Sequence, residues 1–176
     1  MLSYRLITFL ADDRPGLVEE FSDVLAAHGA NWLESRMSHL GGKFAGIVRV
    51  AVPSARLGEL ERALAGLEAR GMTLRVESAG REATALPGSL HLLDIVGHDR
   101  PGIVHEFAAA LARRGINVAD LRSDIRSAPM SAGPLFHASV EIEVPAGFDL
   151  EELRDALEAV ADELTIECTL ERVTGP

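Results

Sequence analysis

Short apolar segments alternate with longer amphipathic ones along this chain of 176 residues, and the same order occurs twice. Residues 4–11 and 90–97 are short, apolar and rich in strand-forming residues, so each predicts a first strand. From Pro15 onward, apolar residues recur at the spacing of an amphipathic helix, which we expect to begin at that proline. Gly29 and Gly115 fit the C-termini of this helix and of its counterpart.

Each half continues with two strands, a second helix and a final strand. The middle strands of the first half are joined by the sequence GGK, a composition typical of a tight hairpin turn. Those of the second half are separated by the longer loop SAPMSAG. In the first half we predict strands at 31–40 and 43–52, a helix over 57–67 and a strand at 72–78. In the second half we predict strands at 116–127 and 134–144, a helix over 150–160 and a strand at 164–173.

A shift of 86 residues aligns 13–36 with 99–122, and half of these 24 positions are identical. Such self-similarity indicates a duplicated unit. The order β-α-β-β-α-β predicts an α+β fold of two ferredoxin-like domains, each a four-stranded antiparallel sheet with two helices on one face. We expect a first domain at 1–79, a linker at 80–89 and a second domain at 90–176. The uncovered sheet faces and open edges predict packing between units or a homodimer.

The composition is that of a globular protein, and its charge argues against direct binding to nucleic acid. An apolar fraction of 47% and a charged fraction of 25% allow a buried core. The formal net charge is −10, whereas binding to phosphates needs clustered lysine and arginine. Most of the excess lies after residue 80, where there are eight basic and seventeen acidic residues. The acidic segment 149–163 fits either a solvated helix face or an acidic docking surface.

The sequence contains no recognisable signal peptide or membrane span, so we expect a cytoplasmic protein. The single cysteine, Cys168, lies in an alternating segment and is expected to fill a strand face rather than form a disulfide. The six histidines have no metal-binding spacing, and no catalytic serine motif occurs. We therefore expect no metal, no cofactor and no enzymatic activity.

Both copies contain Asp-Arg-Pro-Gly at the start of the first helix. Proline favours the first helical position and a preceding aspartate can cap the helix, so Asp13 and Pro15 have a structural explanation. Gly16 has no such structural explanation, because glycine is unfavourable at the second helical position where we expect it. We interpret it as leaving room for an anion at the N–H groups of Gly16, Leu17 and Val18. A carboxylate fits this position better than a phosphate, because the glycine spacing of a P-loop is missing. The alternative is that the glycine has a purely structural role.

Asn31 and Asn117 follow the two first helices at equivalent positions. Each is expected at the start of a strand, where asparagine is uncommon. A side-chain amide both donates and accepts hydrogen bonds, so it could bind the carboxylate and the ammonium group of an amino acid. The alternative is an asparagine that only ends the turn after the helix.

The segments DDRPGLVEEFSDVLAAHGAN and HDRPGIVHEFAAALARRGIN, each within a predicted βαββαβ unit, resemble ACT domains, the small regulatory modules that bind amino acids. Two such units without a catalytic domain resemble, more narrowly, the ACT proteins that repress transcription of the glycine cleavage system. The resemblance implies ligands between ACT units, held by the loop after the first strand and the start of the second. Carried over by position, the site residues are Asp12, Asp13, Arg14, Pro15, Gly16, Leu17 and Asn31, and His98, Asp99, Arg100, Pro101, Gly102, Ile103 and Asn117.

The resemblance also implies a role. We expect a sensor of a small amino acid, glycine or serine, that regulates glycine cleavage metabolism through contact with a transcription activator rather than with DNA. Two alternatives stay open: a stand-alone regulatory subunit of an amino-acid biosynthetic enzyme, and a ligand-free interaction or dimerisation module. Because Asp12 of the first copy corresponds to His98 of the second, the two sites are not expected to bind equally.

Overall fold

Two compact units make up the chain, Met1–Thr84 and Ala85–Pro176. The computed structural model describes residues 1–80, 88–127 and 133–173. Most of the expected linker and most of the SAPMSAG loop lie outside the described residues. Gly88, which was expected in the linker, already belongs to the first strand of the second unit.

The first unit contains four strands and two helices in the expected order. The strands are β1 (Leu2–Asp12), β2 (Asn31–Leu40), β3 (Lys43–Pro53) and β4 (Thr73–Ser78), and the helices are α1 (Leu17–Ala27) and α2 (Leu57–Ala65). Gly41 and Gly42 join β2 to β3 with φ angles of 59° and 75°. Two consecutive positive φ angles are typical of a type I′ hairpin turn, which explains the pair of glycines.

The second unit repeats this order. Its strands are β5 (Gly88–His98), β6 (Asn117–Ser127), β7 (Pro134–Pro145) and β8 (Glu167–Arg172), and its helices are α3 (Ile103–Ala112) and α4 (Leu150–Leu164). The predicted start of the last strand at residue 164 is wrong, because Leu164 is still helical. Thr165, with a left-handed φ of 57°, ends α4, and the strand begins at Glu167.

Each unit has one four-stranded sheet with the strand order of a ferredoxin-like domain. The orders are β2-β3-β1-β4 and β6-β7-β5-β8, and every neighbouring pair is antiparallel. The predicted α+β fold of two ferredoxin-like units is therefore confirmed. No helix in the described part of the chain is long and apolar enough to cross a membrane.

The core of each unit lies between its sheet and its two helices. Ile7, Phe9 and Ala11 alternate along β1 and are buried, as the period of a strand requires. They pack in one cluster with Phe21 of α1 and Leu60 of α2. Burying an aromatic side chain such as that of Phe21 stabilises the fold by roughly 1.5–3 kcal/mol. The intervening strand residues face away from the helices, since both helices of the unit pack on the buried face of the sheet.

Candidate functional site

The loop before the first helix has the same form in both units. We call residues 12–17 loop 1 and residues 98–103 loop 2. The helices begin at Leu17 and Ile103, two residues after the prolines, so the expectation that each proline opens its helix is wrong. Each proline lies in a turn, and the glycine that follows it is the N-cap residue.

Both N-cap glycines have a left-handed backbone. The φ angle is 88° at Gly16 and 101° at Gly102, a region that costs other residues about 1–2 kcal/mol. A Cβ atom added at Gly16 would lie 4.0 Å from its nearest neighbour, Oε2 of Glu19, and one added at Gly102 would meet nothing within 4 Å. Backbone conformation therefore explains both glycines. The argument that they serve only to admit a ligand at a second helical position is wrong, although the space beside them is open.

The N-terminus of α1 has no side-chain cap. The carbonyl oxygen of Gly16 accepts a hydrogen bond from the N–H of Glu20 at 2.9 Å. The N–H groups of Leu17, Val18 and Glu19 precede this bond, so they have no acceptor within the helix. Together with the helix dipole, these three N–H groups provide a local preference for an anion.

An open depression of about 330 Å³ lies at this helix N-terminus. It combines the N–H groups of α1 with the carboxylates of Asp13 and Glu19 and with the apolar side chains of Val18 and Phe44. These chemical groups match the carboxylate, the ammonium group and a small side chain of an amino acid. The lining residues are Asp13, Arg14, Gly16, Leu17, Val18, Glu19 and Phe44.

The guanidinium group of Arg14 is engaged within the first unit. Its Nη2 donates to Oε2 of Glu20 at 2.5 Å, and Nη1 of Arg70 donates to the other carboxylate oxygen at 2.8 Å. The hydrogen bonds from Arg14 and then from Arg70 hold the pKa of Glu20 below its ordinary value. Arg14 therefore fastens loop 1 to α1, and Glu20 in turn bonds Arg70 in the turn after α2, an arrangement that the sequence did not indicate.

Arg100 plays a corresponding part in the second unit with a different acceptor. Its Nη1 donates to the carbonyl oxygen of Leu164, at the end of α4, at 3.3 Å. Leu164 occupies the position in this unit that Arg70 occupies in the first, three residues before the last strand. In the second unit the arginine therefore ties its loop directly to the end of the second helix, whereas in the first unit the link runs through Glu20 to Arg70, beyond the end of α2.

The first residue of each loop has a different partner in the two units. Asp12 lies opposite Lys43 across β1 and β3, and Nζ of Lys43 donates to its carboxylate. That hydrogen bond and the lysine charge lower the pKa of Asp12 from its ordinary value. In the second unit, His98 lies opposite Leu135. The ion pair beside loop 1 is therefore replaced by an imidazole and an alkyl side chain beside loop 2.

The second residue of each loop, an aspartate in both, is anchored through its backbone. The N–H of Asp13 donates to the carbonyl oxygen of Gly42 at 3.0 Å, and the N–H of Asp99 donates to that of Pro134 at 3.1 Å. Both residues are exposed. Loop 1 is thus held against the turn before β3 and loop 2 against the first residue of β7, while both carboxylates face solvent.

The structure does not bring either asparagine to the loop of its own unit. Asn31 lies opposite Ala51, and Ala51 lies opposite Tyr4 near the start of β1. Loop 1 follows the other end of β1, eight residues further along, or about 26 Å at the rise of a strand. Asn117 is placed in the same way at the start of β5, eight residues from loop 2. Within one unit, a small ligand cannot contact both the loop and the asparagine.

The two asparagines also differ from each other. Nδ2 of Asn117 donates to Oε2 of Glu143, its cross-strand neighbour, at 3.0 Å. Asn31 has Ala51 at that position, which offers no side-chain acceptor. Both asparagines begin their strands, as predicted.

Two lining residues of the depression, Glu19 and Phe44, were not predicted from the sequence, whereas Val18 was expected to contribute its N–H group. Glu19 lies three residues after the Asp-Arg-Pro-Gly sequence, and the later helix start makes it a first-turn residue. Phe44 comes from β3, across the sheet from loop 1. Only the pairing of β1 with β3 brings Phe44 to the loop, so no local sequence signal could have identified it.

Other chemical groups in the described part of the chain offer no second kind of site. Within residues 1–80, 88–127 and 133–173, no cluster of three histidine, cysteine, aspartate or glutamate side chains could hold a metal ion. Cys168 lies in β8 and packs against the core of the second unit, as predicted. Burial raises the pKa of its thiol, which disfavours the reactive thiolate.

Comparison with known proteins assigns both units to one type of domain. Residues 3–77 and residues 91–162 each match a family model for the ACT domain. Over 164 residues the chain is 26% identical to the glycine cleavage system transcriptional repressor of Escherichia coli (strain K12) and to that of Shigella flexneri; the alignment covers 92% of this chain and 85% of each relative. A crystal structure of an unknown protein from Galdieria sulphuraria covers 99% of this chain and 100% of its own, with 29% identity and a TM-score of 0.83.

Proposed function

This chain belongs to the ACT domain family, with two ACT domains in tandem, and we propose that it is a regulator that senses a small amino acid. Its similarity to transcriptional repressors over 92% of its length supports a regulatory role. We propose further that it acts without catalysis, in the cytoplasm, by changing its contact with a partner protein when the amino acid binds.

The observation that carries the sensing proposal is the depression beside loop 1. We assign the ligand carboxylate to the N–H groups of Leu17, Val18 and Glu19, because an uncapped helix N-terminus favours an anion. We assign the ammonium group to the carboxylates of Asp13 and Glu19, which border the same space. The choice of glycine or serine as the ligand follows from the similarity to glycine cleavage system repressors.

Loop 2 is the weaker candidate for the same ligand. Its backbone repeats that of loop 1, and Asp99 is retained. However, His98 replaces Asp12, and His105 replaces Glu19 of the depression. A carboxylate attracts an ammonium group, whereas a histidine does not. We therefore propose that loop 1 is the principal site and that loop 2 binds the amino acid more weakly.

Asn31 or Asn117 can contact the ligand under one condition. An asparagine that contacts the ligand must belong to a different ACT unit from the loop, because each lies about 26 Å from the loop of its own unit. Its amide would then donate to the ligand carboxylate and accept from the ammonium group.

The proposed partner is a protein rather than DNA. The net charge of −10 opposes contact with phosphates, and the relatives in Escherichia coli and Shigella flexneri are transcriptional repressors of the glycine cleavage system. We propose that the partner is a transcription activator of that system.

Thermal unfolding with a panel of amino acids tests the sensing proposal. Glycine or serine at about 100 times its dissociation constant should stabilise the protein by roughly 2.7 kcal/mol. Acetate, which lacks the ammonium group, and glycinamide, which lacks the carboxylate, are the matched controls and should stabilise it far less. No shift with any amino acid at millimolar concentration would refute sensing and favour a ligand-free interaction module.

Co-purification of the full chain from its own cells, with and without glycine, tests the partner. Recovery of a transcription activator in an amount that changes with glycine would support the proposal. Recovery of an amino-acid biosynthetic enzyme would show that the chain is a stand-alone regulatory subunit.

A further inference from the structure

Three charged side chains from separate segments of the first unit meet beside loop 1. Arg14 belongs to the loop, Glu20 to the first turn of α1, and Arg70 to the turn between α2 and β4. Nη2 of Arg14 donates to Oε2 of Glu20 at 2.5 Å, and Nη1 of Arg70 donates to Oε1 at 2.8 Å. Because each arginine uses a different carboxylate oxygen, Glu20 binds both at once. We call this arrangement the Glu20 bridge.

The carboxylate is the sheltered member of the bridge. The side chain of Glu20 is 17% exposed, whereas those of Arg14 and Arg70 are 45% and 61% exposed. Salt screens a partly buried charge less than an exposed one, and an ion pair within a network contributes more than an isolated surface pair. The Glu20 bridge is therefore suited to hold the segments that it joins.

Glu20 fixes loop 1 at two points. Its N–H donates to the carbonyl oxygen of Gly16 at 2.9 Å, and its carboxylate accepts from Arg14. Arg14 and Gly16 both line the depression beside the loop, whereas Glu20 and Arg70 are not among the lining residues. A binding site needs its groups held to within about 0.5 Å of the productive geometry. A displacement of Glu20 would move two lining residues together.

The second unit keeps only the backbone half of this arrangement. Its equivalent glutamate, Glu106, donates its N–H to the carbonyl oxygen of Gly102 at 3.0 Å. Arg100, however, donates to the main-chain oxygen of Leu164. The link through a side-chain carboxylate thus belongs to the unit in which we placed the principal amino-acid site.

We propose that Glu20 and Arg70 are positioning residues of the amino-acid site, which hold loop 1 in its binding conformation through Arg14 without contacting the ligand. This inference rests on the proposed function of loop 1. Arg70 holds the carboxylate of Glu20, and Glu20 holds Arg14 and Gly16 around the depression. The turn between α2 and β4 thereby sets the affinity of a site to which Arg70 contributes no lining group.

The same turn gives the bound amino acid a route to a second surface. Leu67 and Met72 are buried and anchor the turn, whereas residues 68–71 between them are exposed. Coupling between two places in a protein is reciprocal. If the bridge strengthens amino-acid binding, the bound amino acid must stabilise the bridge and the turn that carries Arg70.

Isothermal titration calorimetry of the full chain with glycine and with serine tests the proposal. Arg70→Ala should weaken binding roughly three- to tenfold. Arg70→Lys keeps the charge and a hydrogen-bond donor, so it should recover part of the loss. Arg75→Ala is the matched control, because it removes the same charge from another ion pair of this unit, that with Glu77. The control should leave the affinity unchanged.

A double-mutant cycle separates positioning from a direct effect of the Arg70 charge on the ligand. In a Glu20→Gln background, Arg70→Ala should add little further loss of affinity, because the bridge is already broken. An effect of the charge through space would give the same loss in both backgrounds, and that result would overturn the proposal. Urea unfolding of each variant identifies any loss of affinity that comes from loss of folded protein.

Amide hydrogen exchange of the wild-type chain tests the reverse direction and needs no variant. Saturating glycine or serine should slow exchange at the N–H groups of Arg70, Gly71 and Met72, which donate within the turn. The N–H groups of Thr165 and Ile166, which donate to carbonyl oxygens near the end of α4, are the matched control and should change less.

The outcomes separate this inference from the proposed function. Saturable binding with unchanged affinity in Arg70→Ala, or without slower exchange in the turn between α2 and β4, would overturn the positioning role and leave sensing intact. Absence of binding to the wild-type chain would refute sensing and the positioning role together.

Discussion

Loop 1 and loop 2 have the same backbone and different chemistry. Both place a left-handed glycine at the helix N-cap, and in both the arginine before the proline fastens the loop, to Glu20 of α1 in loop 1 and to the carbonyl oxygen of Leu164 in loop 2. Around this shared frame, loop 1 has an ion pair between Asp12 and Lys43, where loop 2 has His98 opposite Leu135.

The comparison shows that residues identical in both repeats do not by themselves indicate a ligand. Gly16 and Gly102 are identical because the turn needs a positive φ, and Arg14 and Arg100 are identical because the loop needs a tether. Neither identity requires a ligand. The residues that change between repeats, such as Glu19 and its counterpart His105, distinguish the two loops chemically.

The largest expected difference between the loops is in amino-acid binding. Asp13→Asn should weaken binding by about 1.5–3 kcal/mol, roughly tenfold or more, because it removes a charged acceptor for the ammonium group. Asp99→Asn, the same change in loop 2, should leave the principal affinity within a factor of two. Isothermal titration calorimetry with glycine or serine measures both. Equal losses in the two variants would mean that the loops bind alike.

Alanine variants of the asparagines test whether a second ACT unit completes the site. At least one of Asn31→Ala and Asn117→Ala should weaken amino-acid binding by about 1–3 kcal/mol, through the loss of paired polar groups. Asn117→Ala also removes the hydrogen bond to Glu143, so unfolding must be measured beside binding to separate the two effects. Unchanged affinity in both variants would remove the asparagines from the site.

Replacing the N-cap glycines should affect both units alike. Gly16→Ala and Gly102→Ala should each lower the free energy of unfolding by about 1–2 kcal/mol, because both positions have positive φ. Gly58→Ala in α2 is the control: a Cβ atom there would meet nothing within 4 Å and no positive φ is required, so alanine should be neutral or slightly stabilising. Urea unfolding checks this. A cost at only one loop would contradict the shared backbone role.

The smallest expected difference concerns acid stability. The pKa of Glu20 is lowered from its ordinary value of 4.5 by Arg14 and Arg70, so the stability it provides is present above that pH and is lost as the pH falls through the lowered pKa. Glu20→Gln should reduce the free energy of unfolding by about 0.5–1 kcal/mol at neutral pH and by less in acid. Glu106→Gln is the matched control, since Arg100 donates to a carbonyl oxygen. A pH-independent loss in Glu20→Gln would contradict the ion-pair account.

The sequence was sufficient to predict the fold, because hydrophobic periodicity and the 86-residue repeat carry the order of elements. The boundaries at Pro15 and Leu164 were wrong for local reasons: a glycine at positive φ delays α1, and a left-handed Thr165 ends α4 later than the alternation indicated.

The candidate site was less predictable, because its residues meet through strand pairing. Phe44 joins the depression only through the pairing of β3 with β1, and Asn31 lies far from loop 1 for the same reason. The position of Asn31 just after the first helix gave no indication that it lies at the opposite end of the sheet.

The most direct test of the central claim is the response of backbone amide resonances to the amino acid. In two-dimensional NMR spectra of the full chain, glycine or serine should shift the amides of Gly16, Leu17, Val18 and Glu19 in a saturable manner, and should shift those of Gly102 and Ile103 less. Absence of saturable shifts at the start of α1, or larger shifts at the start of α3, would contradict the assignment of the ligand carboxylate to loop 1.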